Sequence, residues 1–137
     1  MPVQWTNNLA TGIAEIDDQH KEIFKRVEKL SQACSEGRGK EEVLNLLFFL
    51  ESYVKEHFAA EEKLQLKHCY PGYALHKSQH TRFIADISRL ATAFRTEGAT
   101  LSLVIMTNKT LTAWLVQHIS KTDMELGAYL KEQDAAR

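Results

Sequence analysis

With 137 residues the chain is the size of one ordinary domain, enough for a single core and too short for a catalytic domain joined to a regulatory one. Its 17 basic and 18 acidic residues leave a net charge of -1, which excludes the electrostatic footprint of a nucleic-acid or anionic-membrane binder. No apolar run approaches the roughly 20 residues that cross a bilayer, and the opening Met1-Pro2-Val3-Gln4-Trp5-Thr6 lacks the regions of a secretory signal, so the expected compartment is the cytosol.

Only two prolines and six glycines interrupt apolar residues spaced at three and four, a pattern that predicts helix almost throughout. Residues 1–16 carry Trp5, Leu9, Ile13 and Ile16 without a strong helix signal and read as an extended or looped arm. A first helix, capped by Asp17 or Asp18, sets His20 in its first turn beside the stripe Ile23, Phe24, Val27 and Leu30, and ends near Gly37-Arg38-Gly39. A second helix over about 40–66 aligns Val43, Leu46, Leu47, Leu50, Val54, His57, Phe58 and Glu61 on one face before a break at 67–72. The third, about 74–95, opens with His76 and His80 and continues through Phe83, Ile84, Ile87, Leu90 and Phe94. The fourth starts near Leu101, carries Val104, Leu111, Trp114, Leu115, His118, Ile119 and Asp123, and extends toward Gln133. Short connections make neighbours antiparallel, so the expected fold is all-α, an up-down-up-down four-helix bundle forming a single domain over 1–137.

Five of the six histidines and two carboxylates then become informative. Side chains four apart lie about 40° apart around a helix, so His57 with Glu61 and His76 with His80 each point one way. His20 at a helix start, His57 and Glu61 near a helix end, His76 and His80 at a start, and His118 and Asp123 near an end all meet at one end of an antiparallel bundle. A single buried histidine is usually a satisfied core residue. Seven such groups together would leave polar atoms costing about 1–3 kcal/mol each unless a metal takes them. His118 and Asp123, five apart, diverge by about 140° on a regular helix, which predicts a π-bulge or break between them. His68 falls in the 67–72 connection, outside the pattern.

Seven ligands without thiolate exceed one tetrahedral zinc, and imidazole with carboxylate suits iron or manganese. Cys34 and Cys69, isolated from each other, read as reduced thiols. Glu61 and Asp123 can bridge two ions, and a di-iron centre is the preferred reading. Oxygen-activating di-iron bundles use two Glu-x-x-His motifs, and neither occurs here. Fewer carboxylates disfavour highly oxidised iron and favour a reversible exchange of electrons with dioxygen.

The stretches Trp5 with Gly12-Ile13-Ala14-Glu15-Ile16-Asp17-Asp18-Gln19-His20, His57-Phe58-Ala59-Ala60-Glu61, His76-Lys77-Ser78-Gln79-His80 and Trp114-Leu115-Val116-Gln117-His118-Ile119-Ser120-Lys121-Thr122-Asp123 resemble the hemerythrins, in particular single-domain bacteriohemerythrins. The resemblance implies one iron on His76, His80 and His118 and another on His20 and His57. Glu61 and Asp123 would bridge them beside an oxo or hydroxo group, and the second iron would keep an open position for dioxygen. It also implies that Ile23, Phe58, Trp114, Leu115 and Ile119 wall that position from water. The expected role is reversible dioxygen storage, transport or delivery to an oxygen-consuming enzyme, by a monomer that is not itself an enzyme. The alternatives are an oxygen or redox sensor, a di-iron peroxidase, and a nitric oxide or iron scavenger.

Overall fold

A computed structural model of the protein describes residues 4–135, so the first three positions of the expected arm and the end of the expected 1–137 domain lie outside the described residues. A short 3-10 turn, Asn7–Leu9, leads into α1 (Ala14–Ser35), α2 (Gly39–Lys67), α3 (Tyr73–Glu97) and α4 (Leu101–Gln117). A π-helical segment, His118–Asp123, then joins α4 to α5 (Met124–Ala135), so that the three form the fourth member of the bundle. No strand occurs among the described residues.

Each helix forms where its apolar period has a partner to cover it. Ile23, Phe24, Val27 and Leu30 of α1 are at most 1% exposed, and they meet Val43, Leu47, Leu50 and Val54 of α2, which are equally hidden. Phe83, Ile87 and Phe94 of α3 and Val104, Leu111, Leu115 and Ile119 complete this core. α2 packs closely on both α1 and α3, whereas α4 lies on α1 and α2 and touches α3 least. At the α3–α4 connection Gly98 has φ +78°, a left-handed turn that ends α3, and the Thr100 hydroxyl then caps α4 by accepting from the Leu103 amide at 3.2 Å.

The arm is more ordered than its composition suggests, and α1 starts earlier than expected. The helix begins at Ala14 after Ile13, with no side-chain cap. Asp17 therefore does not cap it. Its carboxylate reaches back into the arm, accepting from the Thr11 amide at 2.7 Å, the Thr11 hydroxyl at 2.8 Å and the Gly12 amide at 3.2 Å. The arm then crosses α5 at Gly127, where any Cβ would stand 2.4 Å from the Thr11 carbonyl oxygen. Ile16 of α1 packs here with Leu126 and Leu130, and the 3-10 turn lies near the π segment. Position 127 must be glycine for the arm to lie flat on the last helix. Cys34 and Cys69 are unpaired thiols, and no helix among the described residues is long and apolar enough to cross a membrane.

Candidate metal centre

The seven side chains singled out by residue type converge at one end of the bundle, and none is more than 4% exposed. α1 delivers His20, α2 His57 and Glu61, α3 His76 and His80, and the π segment His118 and Asp123. The π segment opens at His118 and closes at Asp123, so the one awkward spacing is absorbed by the break that the spacing predicts. The wider turn brings His118 Nε2 to 3.1 Å from Asp123 Oδ1.

Each carboxylate divides its two oxygens between two sets of histidines. Glu61 Oε1 lies 2.6 Å from His57 Nε2 and 3.5 Å from His20 Nε2, while its Oε2 lies 3.2 Å from His76 Nε2 and 3.6 Å from His80 Nε2. Asp123 Oδ2 is 3.0 Å from His20 Nε2, and Oδ1 is 2.9 Å from His76 Nε2. The result is two overlapping donor groups, Glu61, His76, His80, His118 and Asp123 on one side and His20, His57, Glu61 and Asp123 on the other.

These close contacts are not hydrogen bonds. The Nε2 atoms of His20, His76, His80 and His118 and all four oxygens of Glu61 and Asp123 are buried without a hydrogen-bond partner. Donor nitrogens and carboxylate oxygens are thus packed together with their lone pairs unclaimed by any hydrogen bond. At about 1–3 kcal/mol for each buried group left unpaired, that arrangement is sensible only if cations take the lone pairs. A donor set of imidazoles and bridging carboxylates without thiolate fits two iron ions.

The charges agree with this. Burial works to lower His20 and His76, but contact with Asp123 and Glu61 outweighs it and pushes each imidazolium up to about 9. Burial and the Glu61 charge work to raise Asp123, and attraction to His118, His20 and His76 overcomes both and holds it low. Glu61 is likewise held well below its usual range, its burial outweighed by His57, His20 and His76. His118 is lowered, chiefly by burial. Without metal, protons on the imidazoles balance the two carboxylates, and metal would displace them.

Residues that sequence reasoning passed over hold the rings in place. Gln19 Oε1 lies 2.5 Å from His57 Nδ1, Glu62 Oε2 3.0 Å from His80 Nδ1, and Gln79 Oε1 2.8 Å from His118 Nδ1, with Thr122 donating to Gln79 at 3.0 Å. An acceptor on Nδ1 leaves Nε2 free for metal and fixes the ring. Glu62 is partly buried, and its carboxylate reaches His80. Gln19, Glu62 and Gln79 each stand next to one ligand in the chain and serve a different one on the next helix, a pairing that only the fold reveals. Stacking adds to the constraint, with Phe58 on His80 at 3.8 Å and Trp114 on His118 at 4.2 Å between centroids.

A small cavity of about 10 Å³ adjoins His20, His57, His118 and Asp123. Ile23, Phe58, Trp114, Leu115 and Ile119 line it together with Val54 and Phe83. Apart from the donor residues its wall is entirely apolar. Its volume is near the minimum for one water, so only a very small guest fits.

Residues 11–130 match the family model described as the hemerythrin HHE cation binding domain. The chain is 33% identical over 127 residues to a bacteriohemerythrin of Methylococcus capsulatus, covering 92% of this chain and 95% of that relative. It is 27% identical to a myohemerythrin of Theromyzon tessulatum, covering 90% of each. A solved structure of wild-type hemerythrin superposes with a TM-score of 0.80 at 32% identity, covering 93% of this chain and 97% of the other.

Proposed function

The chain belongs to the hemerythrin family, and on that premise we propose that it carries dioxygen reversibly on two non-haem iron ions, for storage, transport or delivery to an oxygen-consuming enzyme. In this reading His76, His80 and His118 hold one iron, His20 and His57 hold the other, and Glu61 and Asp123 bridge both. Residues 1–137 act as one domain, with the arm bracing the site. The division of each carboxylate between the two histidine sets supports the reading most strongly. Three imidazoles with two carboxylate oxygens serve one side and two with two serve the other, so the second side is one donor short. The shortfall faces the small cavity.

Two iron ions held by these residues would supply a reversible two-electron exchange with dioxygen. The protein's part is to make that exchange reversible. Ile23, Leu115 and Ile119 keep water out and admit only a very small apolar guest, and Phe58 and Trp114 brace the rings that they stack on. The wall offers no acid or base beyond the donor residues, so nothing there delivers a proton to the reduced gas. That absence from the cavity wall favours a carrier over a peroxidase or reductase.

Repeated cycles between air and argon test the reading. A visible absorption band should appear with oxygen, fade without it, and return with little loss on each cycle. Irreversible bleaching on first exposure would overturn the carrier role.

A further inference from the structure

Beside His76 and His118, and not touching His20 or His57, a groove of about 440 Å³ runs between α3 and the rod of α4, π segment and α5. It lies where α3 and α4 pack least closely. This volume falls in the range of small-molecule pockets, about 300–1,000 Å³, and far exceeds the small cavity beside His20 and His57.

The groove has a polar centre. Gln79 Oε1 receives both His118 Nδ1 and the Thr122 hydroxyl, which leaves the Gln79 amide NH₂ as a donor with no partner among the described residues. The same two bonds fix the register of the walls. Lys121 stands beside Thr122, and Arg82 follows Gln79 by about one turn on the antiparallel α3. Neither cation makes an ion pair among the described residues. The acids of the groove lie to either side of this centre, Asp86 already paired with Arg89 at 3.0 Å and Glu125 a turn nearer the end. His76 also lines the groove, 1% exposed, and its Nδ1 is buried without a partner. Leu75 and the Trp114 indole supply apolar wall.

We propose that this groove is a second ligand site, for a small organic carboxylate whose anionic end sits among Arg82, Lys121 and the Gln79 amide and whose carbon body lies on Trp114. The carboxylate accepts from Gln79 NH₂, polarises that amide, and so strengthens the bond from His118 Nδ1–H to Gln79 Oε1. His118 becomes a stronger donor to the iron that it shares with His76 and His80. This coupling rests on the di-iron reading, while the carboxylate site does not.

Benzoate titrated calorimetrically into the iron-loaded protein tests it, with benzamide as the neutral control and Arg82→Gln and Lys121→Gln as variants at exposed positions. One saturable benzoate site is expected, at least about tenfold weaker in either variant and not shared by benzamide. Binding should also shift the His118 ring N–H resonance. No heat up to about 10 mM benzoate, equal binding of benzamide, or unchanged affinity in both variants would overturn the site. An unmoved His118 resonance at saturation would overturn the coupling. Iron counted on the same sample separates the two readings: binding without paired iron refutes the di-iron premise alone, and paired iron without binding refutes the groove alone.

Discussion

At the far end of the bundle Val27, Leu30, Val43, Leu47, Phe94 and Val104 meet as an unbroken apolar core, and the one buried hydroxyl there, Thr107, is satisfied by Leu103 of its own helix at 2.8 Å. At the other end the same helices bury five imidazoles and two carboxylates, most of whose metal-facing atoms lack a hydrogen-bond partner. The first end gains stability from burial alone, at about 25 cal/mol for each Å² of apolar surface removed from water. The second gives stability up for reactivity, and it is braced by the arm, by stacked rings and by the acceptors on Nδ1. Folding and function are thus separable along the length of one bundle.

Removing a bridging group should separate them most sharply. Glu61→Ala should abolish the paired-iron absorption and magnetic coupling while circular dichroism retains its helical signal, because the far core does not depend on position 61. Loss of helicity in step with iron would mean the two ends are one unit. Glu62→Gln keeps the shape but weakens the acceptor on His80, and iron affinity by chelator competition should fall about 10- to 100-fold. An unchanged affinity would reduce Glu62 to a surface acid.

The arm can be tested apart from the metal. Alanine favours a helix over glycine by up to about 1 kcal/mol, so Gly127→Ala would stabilise a free helix. Here its Cβ would stand 2.4 Å from the Thr11 carbonyl oxygen, and the backbone must move. A net loss of about 1–3 kcal/mol is expected in urea unfolding of the iron-free protein. A gain would show that the arm does not rest on α5.

Acidity should act with opposite sign on the iron-free and iron-loaded forms. His20 and His76 sit at about 9 when folded without metal and at 6.5 when unfolded, so the folded form binds more protons between those values. Iron-free stability is therefore full below 6.5 and lost as the pH rises toward 9. Asp123 and Glu61 are lowered, so their contribution is present above the usual carboxylate range and lost in acid. The lowered His118 acts below 6.5 and leaves the upper window to His20 and His76. Iron uptake, which needs neutral imidazoles, should strengthen across that same window. The smallest effect is kinetic: Leu115→Ala should keep both irons but autoxidise severalfold faster, as water reaches the cavity. Autoxidation at the parental rate would remove Leu115 from the gate.

The apolar end was readable because its stripes repeat at three and four, and the ends of the second and third helices, Gly39–Lys67 and Tyr73–Glu97, fall within two residues of those expected. The donor residues were readable because imidazoles and carboxylates cluster at matching levels of antiparallel helices. Even the π segment was foreshadowed, since His118 and Asp123 could not otherwise face the same way. The arm was not, because Asp17 near a helix start resembles a cap, and only the fold shows its carboxylate turned back on Thr11 and Gly12. Nor were the roles of Gln79 and Glu62, since an amide or acid on a half-exposed helix position carries no periodic signature. Their partners lie on another helix, which is tertiary information.

A two-iron site with one side a donor short is tested most directly by oxygen uptake of the anaerobically reduced protein, with iron counted on the same sample. Two irons per chain and one dioxygen bound per pair are expected, the gas being released when the oxygen pressure is lowered. One iron per chain, one dioxygen per iron, or uptake that cannot be reversed would contradict it.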